Sequence, residues 1–462
     1  MHHAPVADGD TDLPLEVLDP SSEELLAAVE PAGPDAVDEA VHRAAGAAPA
    51  WWSLAPAERA GRLRALADAV RQQCEGLAEM ESANTGKPIG SSRGEVATVA
   101  DVFDFYAGAI DKVGGRTLRV AGGLALTVKE PVGVVAAITP WNFPLLIASW
   151  KVAPALAAGN TVILKPSELT PLTSIELGRL AAAAGLGDGV LRVLPGRGPT
   201  TGATLATHPL VDKVSFTGST AVGRTILAGA AATVKRVSLE LGGKSATVVF
   251  ADADIDAAAA AAPGAVFDNA GQDCCARSRI LVEASAYDRF VERLVEATTA
   301  WRVGRPHDGA DMGPLISRGQ HDRVSSFLDD STTVLHRNDR PEGPGYWFAP
   351  TVVEGGAPTS RVMTEEIFGP VVAVAPFADE ADAVRLANAT IYGLSGSVWT
   401  RDGARALRVA SAIRSGTLSV NSNSSVRTAL PFGGMRQSGL GRDLGIEAID
   451  AYSETKSIFL AH

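Results

Sequence analysis

The chain has little cysteine: 3 residues in 462. Cys74 stands alone and Cys274 adjoins Cys275, so no disulfide framework forms. With no C-x-x-C pair, the spacing offers no structural metal site. This usage fits a reducing compartment, and the expected location is the cytoplasm. The chain also lacks an uninterrupted apolar run of about 18 residues, which excludes a spanning helix. Met1–Asp12 is polar and acidic, unlike a secretory leader, and His2 and His3 read as a frayed start. Basic residues are in deficit, with 41 Lys+Arg against 53 Asp+Glu, a net charge of −12. Nucleic-acid phosphates and anionic bilayers would be repelled, so neither is an expected partner. The dinucleotide pattern G-x-G-x-x-G is missing. Gly196-Arg197-Gly198 begins like it but runs into Pro199, and reads as an ordinary loop.

What is present is a large globular protein. At 462 residues and 46% hydrophobic content, the chain exceeds one core, and two or three domains are expected. Pro34–Ala78 reads as helices, with Asp35 as the first cap and a break at Trp51–Pro56. A second helical run covers Ala57–Glu81 and a third Gly94–Ile110, where Phe103, Phe105 and Tyr106 read as core. Ala121-Gly122-Gly123 between two β-rich runs predicts a projecting hairpin over Leu118–Val128. From Pro131, strands and helices alternate: strands at 132–138, 161–165, 190–194, 211–216 and 236–240, with helices at 147–158, 171–184, 200–206 and 220–231. A second alternating block comes after Gly243, with strands at 246–249, 279–282, 371–376, 397–399 and 417–421, and Asp254 as a helix cap. A last strand is expected near 457–460. Such alternation predicts parallel, helix-covered sheets, with ligands at the carboxyl ends of the strands.

The chemistry gathers around Gly271-Gln272-Asp273-Cys274-Cys275-Ala276. A cysteine in a Gly-led loop outside any metal pattern reads either as a nucleophile or as a buried structural thiol. Asn142, in the Pro-fixed loop Thr139–Pro144, can donate an amide to a developing oxyanion or close an Asx-turn. Lys165-Pro166-Ser167-Glu168 comes after a strand, and a lysine and a glutamate there can hold ribose hydroxyls; a carboxylate at that point favours NAD over NADP. Gly218, Ser219 and Gly223 open a helix where backbone N–H groups can meet a phosphate. Glu240 is a carboxylate in an apolar strand ahead of a glycine pair, where burial would make it either a general base or a paired core residue.

In order, TPWNFP (139–144), KPSE (165–168), FTGST (216–220), LELGGK (239–244), GQDCCARSR (271–279), EEIFGPV (365–371) and PFGGMRQSGLGR (431–442) resemble the aldehyde dehydrogenase superfamily. The likeness runs from about Asn84 to the C-terminus. It implies an α/β fold: a Rossmann-like NAD-binding domain (1–113 and 132–241, with 438–452 returning to it), a second α/β catalytic domain (242–437) and a small β oligomerisation element (114–131 and 453–462). It implies NAD as cofactor, with NADP possible, a small-molecule aldehyde as substrate, and a homodimer or homotetramer.

By the same resemblance Cys274 is the nucleophile, Asn142 and the Cys274 backbone N–H hold the oxyanion, and Glu240 activates the water that hydrolyses a thioester. Glu366 takes the nicotinamide ribose with Phe368 beside the ring. Lys165, Ser167 and Glu168 lie at the adenosine ribose, and Trp141 and Ser219 near the pyrophosphate. Phe143, Trp150 and Phe432 match the substrate tunnel. Cys275 is read as a passive neighbour and Cys74 as structural.

Two departures stand out. Ser331–Gly345 is short for its place. Ile446 stands where many members carry a glutamate that serves as an alternative proton acceptor, with Glu447 one residue later. Two other readings stay open: a coenzyme-A-acylating semialdehyde dehydrogenase, which usually lacks a glutamate at 240, and a non-catalytic homologue, which tends to lose the nucleophile. For the substrate, NSNSSVR (421–427) resembles the betaine-aldehyde and aminoaldehyde group. Asp101, Asp104 and Asp273 could meet an ammonium, and Trp150 could stack on it.

Overall fold

The computed structural model describes residues 13–461; the start at Met1–Asp12, His2 and His3 included, lies outside them. Two mainly parallel sheets carry the molecule. The first has six strands in the order Gly439–Leu440, Arg236–Glu240, Lys213–Thr217, Val134–Ile138, Thr161–Lys165, Leu191–Val193, with only Gly439–Leu440 antiparallel. The second has seven, in the order Val334–Arg337, Thr351–Glu354, Val371–Phe377, Arg279–Glu283, Ala246–Val249, Ser395–Trp399, Thr417–Val420, with only Val334–Arg337 antiparallel. Their central strands are buried on both faces, as continuous apolar runs require.

The helices Pro34–Ser53, Pro56–Gln72, Cys74–Thr85 and Ile89–Ala109 precede the first sheet. Leu63, Leu66, Val70, Phe103 and Tyr106 are buried in one cluster with Val135, Val162 and Leu164 of that sheet. Phe103 and Tyr106 are therefore core, as read. Cys74 opens its helix and packs against the same cluster. A separate cluster fills the second sheet, around Val248, Leu281 and Val372.

The predicted hairpin is real: Thr117–Val120 and Gly123–Pro131 turn at Gly122, whose φ is 78°. The terminal strand Ser453–Ala461 pairs along the whole of Gly123–Pro131 and completes a three-stranded sheet.

Several expectations need correction. Asp35 does not cap: Gly33 is the N-cap and Pro34 the first helical residue, which leaves Asp35 in the first turn. The run over Ala57–Glu81 breaks at Gln73, whose φ of −99° and ψ of 13° leave the helix. The helix expected at Gly94 starts at Ile89. The strands Leu15–Leu18, Leu25–Val29, Val334–Arg337, Thr351–Glu354 and Gly439–Leu440 went unread. Most are short, and Leu25–Val29 and Val334–Arg337 are exposed, so little apolar alternation marks them.

Candidate active site

A cleft of about 510 Å³ opens between the two sheets. From the first sheet, its walls take Trp141, Asn142, Gly218, Ser219 and Glu240; from the second, Cys274, Glu366 and Phe368. Sequence reading named all eight.

The Cys274 loop is held by its backbone. Asn269, Ala270 and Gly271 all take left-handed φ values of 50°, 55° and 68°. A Cβ on Gly271 would stand 2.2 Å from the carbonyl oxygen of Gly369, so only glycine fits. Left-handed Ala270 costs about 1 kcal/mol, which the surrounding hydrogen bonds offset. Asn269 Nδ2 donates to the Asn142 carbonyl at 2.9 Å, and Asn142 Nδ2 donates to the Gln272 carbonyl at 2.8 Å. Buried Gln272 accepts from Ile316 N at 2.9 Å and donates to the Asn269 carbonyl at 3.1 Å. Asn142 is thus locked to the cysteine loop, with one amide hydrogen left over. Asn269 and Gln272 were missed as positioning residues; no sequence signal distinguishes an asparagine that braces a turn from one that caps it.

Glu240 ends its strand, is 4% exposed, and its Oε1 has no hydrogen-bond partner among the described residues. Burial pushes its pKa well above the usual carboxylate range, against the pull of Lys151. Contact with Cys275, then burial, then the Glu240 charge push the Cys274 thiol up as well.

Behind Glu240, Lys151 Nζ meets Asp443 Oδ2 at 2.9 Å, with both side chains almost fully buried. The second carboxylate near Glu240 is therefore Asp443, whose charge raises the Glu240 pKa. It is not at 446 or 447, since Ile446 and Glu447 are exposed. Lys151 was hidden inside an apolar helix, in which every residue but Leu146 is buried.

Across the cleft, Gly243 N donates to Glu366 Oε1 at 2.8 Å, and burial lifts the Glu366 pKa to about 7. A Cβ on Gly242 would meet the Glu366 carboxylate at 2.4 Å. Arg323 Nη2 and Gln320 Nε2 donate to the carbonyls of Glu366 and Phe368, each at 2.7 Å. Phe368, at φ 59°, meets Trp141 edge to face with ring centroids 5.2 Å apart. Ser219 caps the helix Thr220–Ala230, accepting from Val222 N at 3.3 Å, and turns the helix N-terminus to the cleft.

The other named residues lie off this cleft. Lys165 Nζ pairs with Glu168 Oε2 at 3.1 Å. Burial favours the neutral Glu168 carboxyl, but Lys165 and backbone N–H donors outweigh it and hold the pKa below the usual value. Gly198 N reaches Glu168 Oε1 at 3.5 Å, so the loop read as ordinary frames this pair. Ser167 Oγ accepts from Leu169 N at 3.3 Å and shapes its own turn. Gly223 faces the core instead of the cleft: a Cβ there would meet Leu241 at 2.6 Å.

Trp150 and Phe432 are buried with ring centroids 5.3 Å apart, and Phe143 receives Lys87 Nζ 4.1 Å from its ring centre. These aromatics belong to the apolar cluster that includes Cys275 and touches Cys274. Cys274 therefore stands between the cleft and the aromatic group. Asp273 accepts from Cys275 N at 2.9 Å. Asp101 and Asp104 pair with Arg71 in solvent and do not line this cleft. Among the described residues, no helix is long and apolar enough to cross a membrane.

Known proteins share this architecture. An aldehyde dehydrogenase of Emericella nidulans is 42% identical over 96% of this chain and 91% of its own. An aminoaldehyde dehydrogenase of Pisum sativum is 40% identical over 96% and 92%. The crystal structure of betaine aldehyde dehydrogenase from Staphylococcus aureus in complex with NAD+ superposes with a TM-score of 0.94 at 37% identity, covering 96% of this chain and 91% of that one. The family model described as aldehyde dehydrogenase family matches residues 7–458, and the chain belongs to that family of oxidoreductases.

Proposed function

We propose that the protein oxidises an aldehyde to its carboxylic acid with NAD, through a thioester on Cys274. The carrying observation is that Cys274, Asn142, Glu240 and Glu366 line one cleft. The cleft suits a dinucleotide on its own chemistry. Thr217 Oγ1 in its wall has no hydrogen-bond partner among the described residues, a capped helix N-terminus faces in for a pyrophosphate, and Glu366 offers a carboxylate to a ribose. Lys165 and Glu168 would hold the second ribose, where the carboxylate favours NAD over NADP.

Glu240, once ionised, takes the Cys274 proton, and the thiolate attacks the carbonyl carbon. The free Asn142 amide hydrogen and the Cys274 backbone N–H hold the oxyanion of the thiohemiacetal. Bound NAD supplies the hydride acceptor. Glu240 gives the thiol proton up to solvent, then draws a proton from water as it attacks the thioester, which releases the acid and the thiolate.

The substrate we infer is a small aliphatic or amino-substituted aldehyde that reaches Cys274 past Phe143, Trp150 and Phe432. The family relatives and the NSNSSVR stretch support it. We assign 1–113 and 132–241, joined by 438–452, to cofactor binding and 242–437 to catalysis. We assign 114–131 and 453–462 to a homodimer or homotetramer contact, for which the exposed Leu118, Ile458, Phe459 and Leu460 of the three-stranded sheet speak.

The test is a kinetic panel of aldehydes run with NAD and NADP in parallel and without coenzyme A. NADH formation is expected, with kcat/KM higher for ω-amino aldehydes than for neutral aldehydes of equal length. No turnover until coenzyme A is added would overturn the hydrolytic reading, and equal kcat/KM would remove the amino preference.

A further inference from the structure

Away from the cleft, one small pocket concentrates positive charge in a chain that is acidic overall. It measures about 260 Å³ and lies where the helix Arg318–Ser325 meets the strand Val334–Arg337. His321, Arg337 and Arg340 line it, with Leu328 and Phe348 as its apolar wall. The strand and the Arg340 turn are the shortened 331–345 connection, so this chain's own departure from the family pattern builds the site.

The arginines are unspent. Arg337 donates only Nε, to Thr351 Oγ1 at 3.3 Å, and its guanidinium lies 5.8 Å from the Phe348 ring centre. Among the described residues, Arg340 makes no hydrogen bond or ion pair, and Asp339 between them in sequence pairs with neither. His321 packs edge-on to Phe348 at 5.5 Å, and its Nδ1 is enclosed without a hydrogen-bond partner. The nearest carboxylate oxygen, on exposed Asp322, stands 3.6 Å away.

We propose that this pocket binds a phosphoryl group carried by a compact phosphomonoester. Two planar guanidinium forks match tetrahedral oxyanion geometry, and the His321 ring lies alongside them. Leu328 and Phe348 then cover the organic part. The volume is below that of drug-sized ligand sites, which excludes a dinucleotide.

The test is calorimetric titration at fixed ionic strength with NAD saturating, so that its pyrophosphate position is filled. Phenyl phosphate and inorganic phosphate are the probes, and chloride is the control. Saturable binding is expected, tighter for the ester. Arg337→Gln and Arg340→Gln should each weaken it on the order of tenfold or more, with turnover in phosphate-free buffer unchanged. Arg340→Lys, which keeps charge and loses the fork, should fall between. Undiminished binding in the double Gln variant, or none in the native protein, would overturn the site. Equal affinity for the two probes would overturn the ester and leave inorganic phosphate as the ligand.

Discussion

The two sheets face the same cleft from opposite ends. The first contributes residues at or just beyond the carboxyl ends of its strands: the Trp141 loop after Ile138, Thr217 at a strand end, Glu240 at another. The second contributes residues ahead of its strands: Cys274 before Arg279–Glu283, Glu366 and Phe368 before Val371–Phe377. A strand's carboxyl end leads to a helix N-terminus, so the first sheet brings N–H donors and a positive dipole suited to phosphate. An amino end carries no such gift. There the chain relies on left-handed backbone at Asn269, Ala270, Gly271 and Phe368 to aim a thiol and a carboxylate. One wall binds through regular structure and the other acts through strained structure.

The sharpest way to separate the two walls is to remove the sulfur. Cys274→Ser should lower kcat by at least on the order of 10³-fold, while NAD titrated by protein fluorescence still binds. Near-native turnover would end the assignment of the second wall to chemistry. Glu240 is the base of the first wall, and Glu240→Gln should cost on the order of 10²–10⁴-fold in kcat.

The pH behaviour of Glu240 has a definite sign. Its pKa is raised by burial, so the base is unavailable at low pH, and kcat/KM should climb as pH rises through that raised pKa. The folded state holds this proton more tightly than the unfolded chain. The group's contribution to stability is thus full below the ordinary carboxylate pKa and is lost as pH rises through the raised one. Glu240→Gln should remove that loss, giving equal or higher Tm than native at pH 8 with little activity. A native-like pH slope of Tm in the variant would contradict the burial argument.

A third test compares left-handed glycines inside and outside the site. Gly271→Ala places a Cβ 2.2 Å from a backbone oxygen, whereas Gly122, also left-handed, has nothing within 4 Å. Gly122→Ala should cost about 1 kcal/mol and leave kcat alone. Gly271→Ala should cost more than that control and drop kcat with it, measured by thermal melts and initial rates. Equal effects at both sites would mean that the Cys274 loop is not tightly braced.

These contrasts also explain what the sequence discloses. The first sheet is legible because alternating β-α patterns and strand-end motifs lie in local order, so Lys165, Gly218, Ser219 and Glu240 can be placed without coordinates. Cys274 is legible by rarity and by family likeness. Asn269, Gln272, Arg323 and Asp443 are not, because each acts through a partner far along the chain: Asn269 reaches Asn142, Arg323 reaches Glu366, and Asp443 reaches Lys151. Asp443 shows the cost, since the departure read at Ile446 and Glu447, where the chain has turned outward, gave no pointer to it. Gly223 shows the reverse, a glycine read as phosphate-facing that instead makes room for Leu241.

The smallest predicted effect probes the first wall as a binding surface. Ser219 Oγ accepts from Val222 N and caps Thr220–Ala230. Ser219→Ala removes that acceptor and should destabilise the helix start by about 1 kcal/mol. If the helix N-terminus serves the dinucleotide, the loss belongs to cofactor affinity: KM for NAD should rise several-fold, to on the order of fivefold for 1 kcal/mol, with kcat at saturating NAD unchanged. Ser219→Asp keeps an acceptor at the cap but adds a negative charge where a pyrophosphate would lie, and should raise KM further while holding Tm. Opposite movements of KM and Tm in these two variants would show that the wall's role is electrostatic and separable from its fold. Parallel movements would return Ser219 to a purely structural cap.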